Sequence, residues 1–545
     1  MNARFSKSIV SVLVIAALAL AIVPFAGAQE GSEPDYWPTA GWRTSTPEEQ
    51  GMDSETLAGM WSYLVEGKKN PDLIMPVPGM TTFIHSALVI RHGRVVLDAS
   101  VYPFSNSQPH EMFSVTKSVL STLVGIAIDQ GYIDTADQSI WEFFSKEGTE
   151  NMDEQKAAIT LRNLLVHTSG LNIGLPTVSG VWDTGGKPYI QYVLDSPMAA
   201  APGSEYLYQD GNADLVSALL QQATGMTAAE FAQKNLFGPL GITDTDWAVD
   251  PEGVNIGGWA FTISGYDLAK IGYLFLHGGE WDGQQIVSSA WVNASINDQL
   301  EPLQPHFWEG YSNYWYDGPV GYWFNELAGA NAAYRGYAAI GWGCQFLFVI
   351  PDLDMIVVTT GDLLGAILPG ATEFILNSVE AESALPGNPG AVAILQAAVE
   401  ATQHPVPSPV PVFPEAASAI SEERYALDSN ILGWDAFSLE FGDQQATFIL
   451  EMAGSVLEFP VGLDGVFRVS SDSIPSDPRY WWWHPHVQQA IKGTWADDQT
   501  FVMEMWDLAG NEGLMITVPA DASTITPTLI LYQGMSTSVP VTPQQ

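Results

Sequence analysis

A chain of 545 residues exceeds the usual size of one domain, and a composition 46% apolar with only 15% charged supplies a large core and excludes wholesale disorder. Nineteen Lys and Arg against 62 Asp and Glu leave a formal charge of −43; a surface that negative repels phosphate backbones, so no nucleic-acid partner is expected. The lone cysteine, Cys344, excludes an internal disulfide and a cysteine-rich metal site.

The first 28 residues read as an export signal. Arg4 and Lys7 make a basic start, residues 9–23 are almost wholly apolar, and Ala26-Gly27-Ala28 places small residues before Gln29. Cleavage after Ala28 is the expectation. The alternative is an uncleaved anchor, although Pro24 interrupts a run nearly long enough to span a bilayer. No later segment approaches about 20 apolar residues, so no membrane span is expected after cleavage.

Residues 36–62 read as a lead-in helix, with Asp53 or Ser54 before a periodic stretch. Residues 84–92 and 95–102 run or alternate apolar around His92-Gly93-Arg94, the pattern of a β-hairpin. A long apolar helix is expected from about 114 to 130, then helical and loop stretches to about 240. Residues 337–349 and 353–360 read as strands, and 371–381 as a closing helix. Strands at both ends of this region with a helix-rich middle predict an α/β (α+β) domain, one sheet flanked by helices with an inserted helical lobe.

The expected domain runs over 29–395, followed by a stiff Pro-rich linker over 396–415 that contains Pro405, Pro407, Pro409, Pro411 and Pro414. Beyond it, alternating segments at 435–441, 446–450, 455–459, 465–470, 499–506 and 513–518 predict an all-β domain over 416–545, a sandwich or barrel. That domain is not expected to supply the nucleophilic machinery.

The chemistry concentrates at Phe113-Ser114-Val115-Thr116-Lys117-Ser118. Of ten lysines, only Lys117 has a serine three positions earlier. Positions i and i+3 share a helix face, so Lys117 Nζ can approach Ser114 Oγ. A serine in the first turn also sits where backbone N–H groups favour developing negative charge. The residues that follow are apolar on every face, so this helix is expected to be buried, its lysine desolvated and lowered in pKa, and fit to act as a base. Taken alone, the pair could equally be a helix-capping serine with a surface lysine.

Residues 113–142 and 161–171 strongly resemble the serine β-lactamase-related superfamily, which includes class C β-lactamases, DD-peptidases, family VIII esterases and 6-aminohexanoate-dimer hydrolases. Stretches at 202–220, 236–247, 257–279 and 336–361 extend the resemblance over roughly 36–385. It implies a β-lactamase/transpeptidase-like fold, an antiparallel sheet flanked by helices, and an acyl-enzyme on Ser114 with Lys117 as base. It also implies Tyr208 as the second proton handler. The family's second motif places Asn two residues after this Tyr. Here Asp210 stands in that position and Asn212 two residues on, both candidate contributors; a carboxylate there tends to keep Lys117 charged. Tyr311-Ser312-Asn313 fits the short pattern but lacks the Pro202-Gly203 lead-in of Tyr208.

By the same resemblance, Ala339-Ile340-Gly341 occupies the third motif, a substrate-binding strand end where Gly341 lets substrate approach. The Trp342 and Ser114 N–H groups would form the oxyanion hole. The basic and hydroxyl residues that usually hold a β-lactam carboxylate are missing, which favours the esterase and amidase branches. His167 is expected to be structural, Cys344 a core residue, and Tyr480 to Trp483 core packing of the β domain. His484 and His486 lack nearby ligands for a metal, and no Gly-x-Ser-x-Gly elbow occurs.

The expected function is an exported serine hydrolase of a small-molecule ester, amide or peptide substrate, needing no cofactor and no metal. Two alternatives stand beside it. One is a β-lactamase or DD-peptidase, the other a non-catalytic ligand sensor or wall-binding protein.

Overall fold

The computed structural model describes residues 34–66, 84–174, 177–178, 181–182, 184–297, 310–319, 322–323, 326–327, 334–361, 368–421, 423–427, 430, 432–474, 487–510, 513–520, 526–530 and 541–543. Residues 1–28, read from sequence as an export signal, Tyr480 to Trp483 and the His484/His486 pair lie outside them.

The N-terminal region is one eight-stranded sheet between two helical layers. In chain order its first elements are β1 (Arg43–Thr44), α1 (Ser54–Glu66), β2 (Ile84–Arg91) and β3 (Arg94–Ser100). The sheet closes with β6 (Gly310–Ser312), β7 (Trp315–Pro319), β8 (Arg335–Gly341), β9 (Gln345–Ile350) and β10 (Met355–Gly361), in the order β1-β3-β2-β10-β9-β8-β7-β6. All pairings are antiparallel except β1 on β3. Strand β2 is buried at every residue, as a strand covered on both faces must be. It pairs with β10 in the register Val89 to Val357, so distant parts of the chain complete one sheet as expected. The β2–β3 hairpin turns on His92 and Gly93, both at positive φ, which suits the right-handed twist of its strands.

Between β3 and β6 run β4 (Pro109–Glu111), α2 (Val115–Asp129), α3 (Leu161–Leu165), α4 (Tyr189–Asp195), α5 (Asp210–Thr224), β5 (Phe261–Ser264) and α6 (Gly265–Leu276). Helix α2 is buried from Val115 to Ala127 and lies in the core between the sheet and this helical lobe. The opposite face of the sheet is covered by α1, α7 (Leu368–Ser378) and α8 (Pro389–Gln403). An apolar cavity lined by Met60, Leu64, Phe348 and Ile375 lies on that far side, away from Ser114.

Three expectations need correction. The lead-in region 36–62 is helical in the α sense only from Ser54; Pro38–Ala40 and Glu48–Gln50 are single 3-10 turns closed by Gly41 and Gly51. Residues 337–349 are not one strand, because 342–344 turn the chain back between β8 and β9. Residues 396–403, read as the start of the linker, are the second half of α8, which Asn388 caps and Pro389 opens.

The C-terminal region is a ten-stranded sheet around a separate core of Phe437, Phe448, Phe459, Phe501 and Met503, a half-barrel. Its strands are β11 (Tyr425–Leu427), β12 (Trp434–Phe441), β13 (Gln445–Met452), β14 (Ser455–Gly462), β15 (Arg468–Ser473), β16 (Gln488–Asp497), β17 (Thr500–Asp507), β18 (Gly513–Pro519), β19 (Thr526–Ile530) and β20 (Val541–Pro543). Among the described strands of six or more residues, β16 alone was missed by the alternation; the shorter β11, β19 and β20 were missed as well. Lys492 and Gly493 interrupt the apolar pattern of β16.

Candidate active site

Ser114 precedes α2 at the end of a strained approach. Phe113 adopts φ 45°, and its N–H donates to Glu111 Oε1 at 3.2 Å, which also accepts Ala260 N–H at 2.7 Å. One carboxylate thus fixes the turn that carries Ser114 to the loop before β5. The Ser114 side chain does not cap its helix. Its Oγ accepts instead from Lys117 Nζ at 3.0 Å. Lys117 is 1% exposed, so neither half of the capping-serine, surface-lysine alternative holds.

The Lys117 ammonium is fully engaged. Besides Ser114 it donates to Asp210 Oδ1 at 2.7 Å and to the Gly258 carbonyl at 2.7 Å. Burial works to lower its pKa, as expected from sequence. The Asp210 charge and hydrogen bond, with the Tyr208 hydroxyl, outweigh burial and hold the amine above its ordinary value. A falling pKa is therefore the wrong expectation for this lysine at rest. The reason is the Asp that replaces the usual Asn. Asp210 opens α5, where a carboxylate also meets the positive end of the helix dipole.

Tyr208 lies just before α5 with its ring centroid 4.8 Å from Lys117 Nζ, and it is 38% exposed, open to an incoming substrate. Its other side rests on His167, ring centroids 4.3 Å apart. His167 is buried at φ 53°, and its Nδ1 accepts Gln209 N–H at 3.4 Å. Burial, with the nearby Lys117 charge, depresses its pKa well below the ordinary value. The buried imidazole packs against the Tyr208 ring. Asn212 turns away from Lys117: its Oδ1 accepts Ser169 Oγ at 2.7 Å and its Nδ2 lies 3.3 Å from His167 Nδ1. Tyr311, the tyrosine of the Tyr-x-Asn pattern, stacks on the same histidine with ring centroids 5.8 Å apart.

Gly341 ends β8 against the turn that carries Ser114. A Cβ there would fall 2.2 Å from the Met112 carbonyl oxygen, so only glycine permits this approach. Trp342 follows directly and opens the turn to β9. Cys344, at the end of the same turn with φ 70°, is buried in the far-face core, and its carbonyl accepts Thr359 Oγ1 at 2.8 Å. Arg335, the nearest cation on β8, is at the strand's other end, about 20 Å away along extended chain, and pairs with Asp317 at 3.4 Å.

The structure therefore brings Ser114, Lys117, Tyr208 and Asp210 together, with Gly341 behind them, and leaves Asn212 in support of His167. Sequence reasoning missed Glu111, Asp214 and Gly258. Each acts through backbone groups, which leave no residue-type signature.

A family model described as Beta-lactamase matches residues 77–366, a little over half of the chain. ML-236A carboxylate methylbutanoyltransferase mlcH of Penicillium citrinum is 32% identical over 160 residues, 26% of this chain and 38% of that protein. The 6-aminohexanoate-dimer hydrolase of Paenarthrobacter ureafaciens is 26% identical over 221 residues, 38% of this chain and 56% of that protein. D-alanyl-D-alanine-carboxypeptidase/endopeptidase AmpH of Escherichia coli is 28% identical over 144 residues, 26% of this chain and 37% of that protein. The chain thus spans less than two thirds of the length of each of these curated relatives.

Proposed function

The chain belongs to the beta-lactamase family, and on that premise we propose that it is an exported serine hydrolase that forms an acyl-enzyme on Ser114. The observation that carries this reading is the Lys117 amine, buried and touching Ser114 Oγ and Asp210 Oδ1 at once. A nitrogen so placed can take the hydroxyl proton while it passes another on, so its charge never exceeds one. The phenol of Tyr208 receives that proton and releases its own to the leaving group. Ser114 Oγ bonds to the acyl carbon, and the Ser114 and Trp342 N–H groups take the oxyanion. Water then attacks the ester, the relay runs backwards, and Ser114 is freed.

The favoured substrate is a small neutral acyl ester or amide, not a β-lactam. Ala339 and Ile340 put no charge where a β-lactam carboxylate would be held, and Arg335 is engaged elsewhere. Losing one charge-assisted hydrogen bond costs on the order of 1.5–3 kcal/mol, roughly tenfold to above a hundredfold in binding. The names of the relatives, one acting on an aminohexanoate dimer and one transferring a methylbutanoyl group, agree with small acyl chemistry. The basic start and apolar run at residues 4–23 support export; N-terminal sequencing of the protein recovered outside the cytoplasm should begin at Gln29.

Ser114→Ala should abolish labelling by a fluorophosphonate probe with an unchanged thermal melt. Labelling that persists would remove Ser114 from the mechanism. In the intact enzyme, kcat/KM for p-nitrophenyl butyrate should exceed that for nitrocefin by at least about tenfold. Equal or faster nitrocefin turnover would mean that another cation holds the carboxylate.

A further inference from the structure

Asp214 lies one turn beyond Asp210 on α5 and is 2% exposed. Its Oδ1 accepts two successive backbone N–H groups, Gly257 at 2.8 Å and Gly258 at 3.1 Å, and its Oδ2 accepts the Tyr189 hydroxyl at 2.6 Å. The carbonyl of the same Gly258 accepts Lys117 Nζ at 2.7 Å. The turn rests directly on α5: a Cβ on Gly257 would fall 2.1 Å from the Ala213 carbonyl oxygen, and one on Gly258 2.7 Å from Asp210 Cβ. Two N–H groups on one oxygen, with no slack behind them, fix the direction of the carbonyl that follows.

We propose that Asp214 is a positioning residue for acyl transfer, which clamps the Gly257–Gly258 turn onto α5 and so holds the carbonyl that grips Lys117. The proposal rests on the reading of Ser114 and Lys117 as the reacting pair. It gives α5 two jobs one turn apart. Asp210 sets the charge of the lysine, and Asp214 sets its place.

The groups facing Asp214 decide how it responds to pH. They are Tyr189 from α4 with Asp250 beside it, Asp210 on its own helix, Lys117 across Gly258 from α2, and Tyr314 from the turn between β6 and β7. Burial pushes the Asp214 carboxyl up to about 6; the Tyr189 hydroxyl opposes this, Asp210 adds to it, and the two glycine N–H groups oppose it. The group is therefore ionised at neutral pH and gains a proton as pH falls through about 6. Its bonds to the turn then change from charge-assisted to ordinary, which weakens the grip on Gly258.

The test uses the full chain, p-nitrophenyl butyrate and a pH series from about 5 to about 8. The unaltered enzyme should lose kcat/KM as pH falls through about 6. Asp214→Asn keeps shape and acceptor but not charge, and so imitates the protonated carboxyl. It should give a flat profile through that range at about one tenth of the neutral plateau, with KM little changed. Tyr189→Phe removes a hydrogen bond that holds the carboxyl down, so its acid limb should move to higher pH. Should Asp214→Asn fail to fold, Tyr189→Phe alone decides. A limb that stays in place in Tyr189→Phe, or survives in Asp214→Asn, overturns the proposal. Labelling of Ser114→Ala would instead overturn the reading beneath it, so the two failures are distinguishable.

Discussion

At the scale of single residues, the tension lies between a buried ammonium and one partly exposed carboxylate. Because Lys117 is held above its ordinary value, the pair contributes stability that is complete below the lysine's unfolded value, hence at neutral pH, and is lost only as pH rises through the folded one. Asp210→Asn removes that contribution at neutral pH. Asp210 is 38% exposed, so the loss should be about 1–2 kcal/mol after solvent screening, less than for a fully buried pair. Burial then acts on Lys117 unopposed by that charge, and the amine loses its proton more readily. The phosphonate labelling rate of the variant should rise more steeply with pH than that of the parent. Urea melts at neutral pH and labelling rates across a pH series measure the two effects; an unchanged melt would mean that the pair is fully compensated by water.

At the scale of elements, the end of β8 packs closely against the turn that carries Ser114. Gly341→Ala must displace either the strand or the Met112 carbonyl, at about 1–3 kcal/mol of stability. A shift of this order at the reacting centre can cost about a hundredfold in kcat. A variant with lowered stability and intact kcat would show that the strand yields and the turn does not. The sequence disclosed α2 and the Ser114–Lys117 pair because both are local: an unbroken apolar run, and two residues one turn apart. The β8–β9 turn stayed hidden. Trp342-Gly343-Cys344 lacks the Asn-Gly signal of a hairpin, and Cys344 adopts positive φ only because the core seats it there. Glu111 and Asp214 stayed hidden for another reason. Their partners are N–H groups 149 and 43 residues away, and any residue type supplies an N–H.

At the scale of the whole molecule, the half-barrel docks beside β4, the strand that leads to Ser114. Phe104, Phe467, Trp506 and Leu508 form a shared apolar cluster, the Tyr102 hydroxyl donates to the Phe467 carbonyl at 3.2 Å, and Glu111 N–H donates to the Ala509 carbonyl at 2.5 Å. Glu111 is the residue whose carboxylate holds Phe113, so docking and the turn that carries Ser114 share one residue. The joint also encloses His85, stacked on Phe104 at 3.6 Å, edge-on to Trp506, and 2.8 Å through Nδ1 from His110 Nε2. Burial first, then His110, depresses the His85 pKa well below its ordinary 6.5. A depressed histidine leaves the folded state at full stability above 6.5 and weakens it as pH falls, because the unfolded chain takes up the proton that His85 refuses. Each pH step below that value costs up to about 1.4 kcal/mol. Urea melts should therefore weaken between about pH 7 and about pH 5, and protease cutting of the exposed stretch around Val406 and Val412 should release the half-barrel more readily at the lower pH. His85→Phe keeps the stack on Phe104 and gives up only the His110 bond, about 1 kcal/mol at neutral pH, but it should make this acid slope shallower, buried His167 supplying the remainder. An equal slope in both proteins would move the acid sensitivity away from this joint.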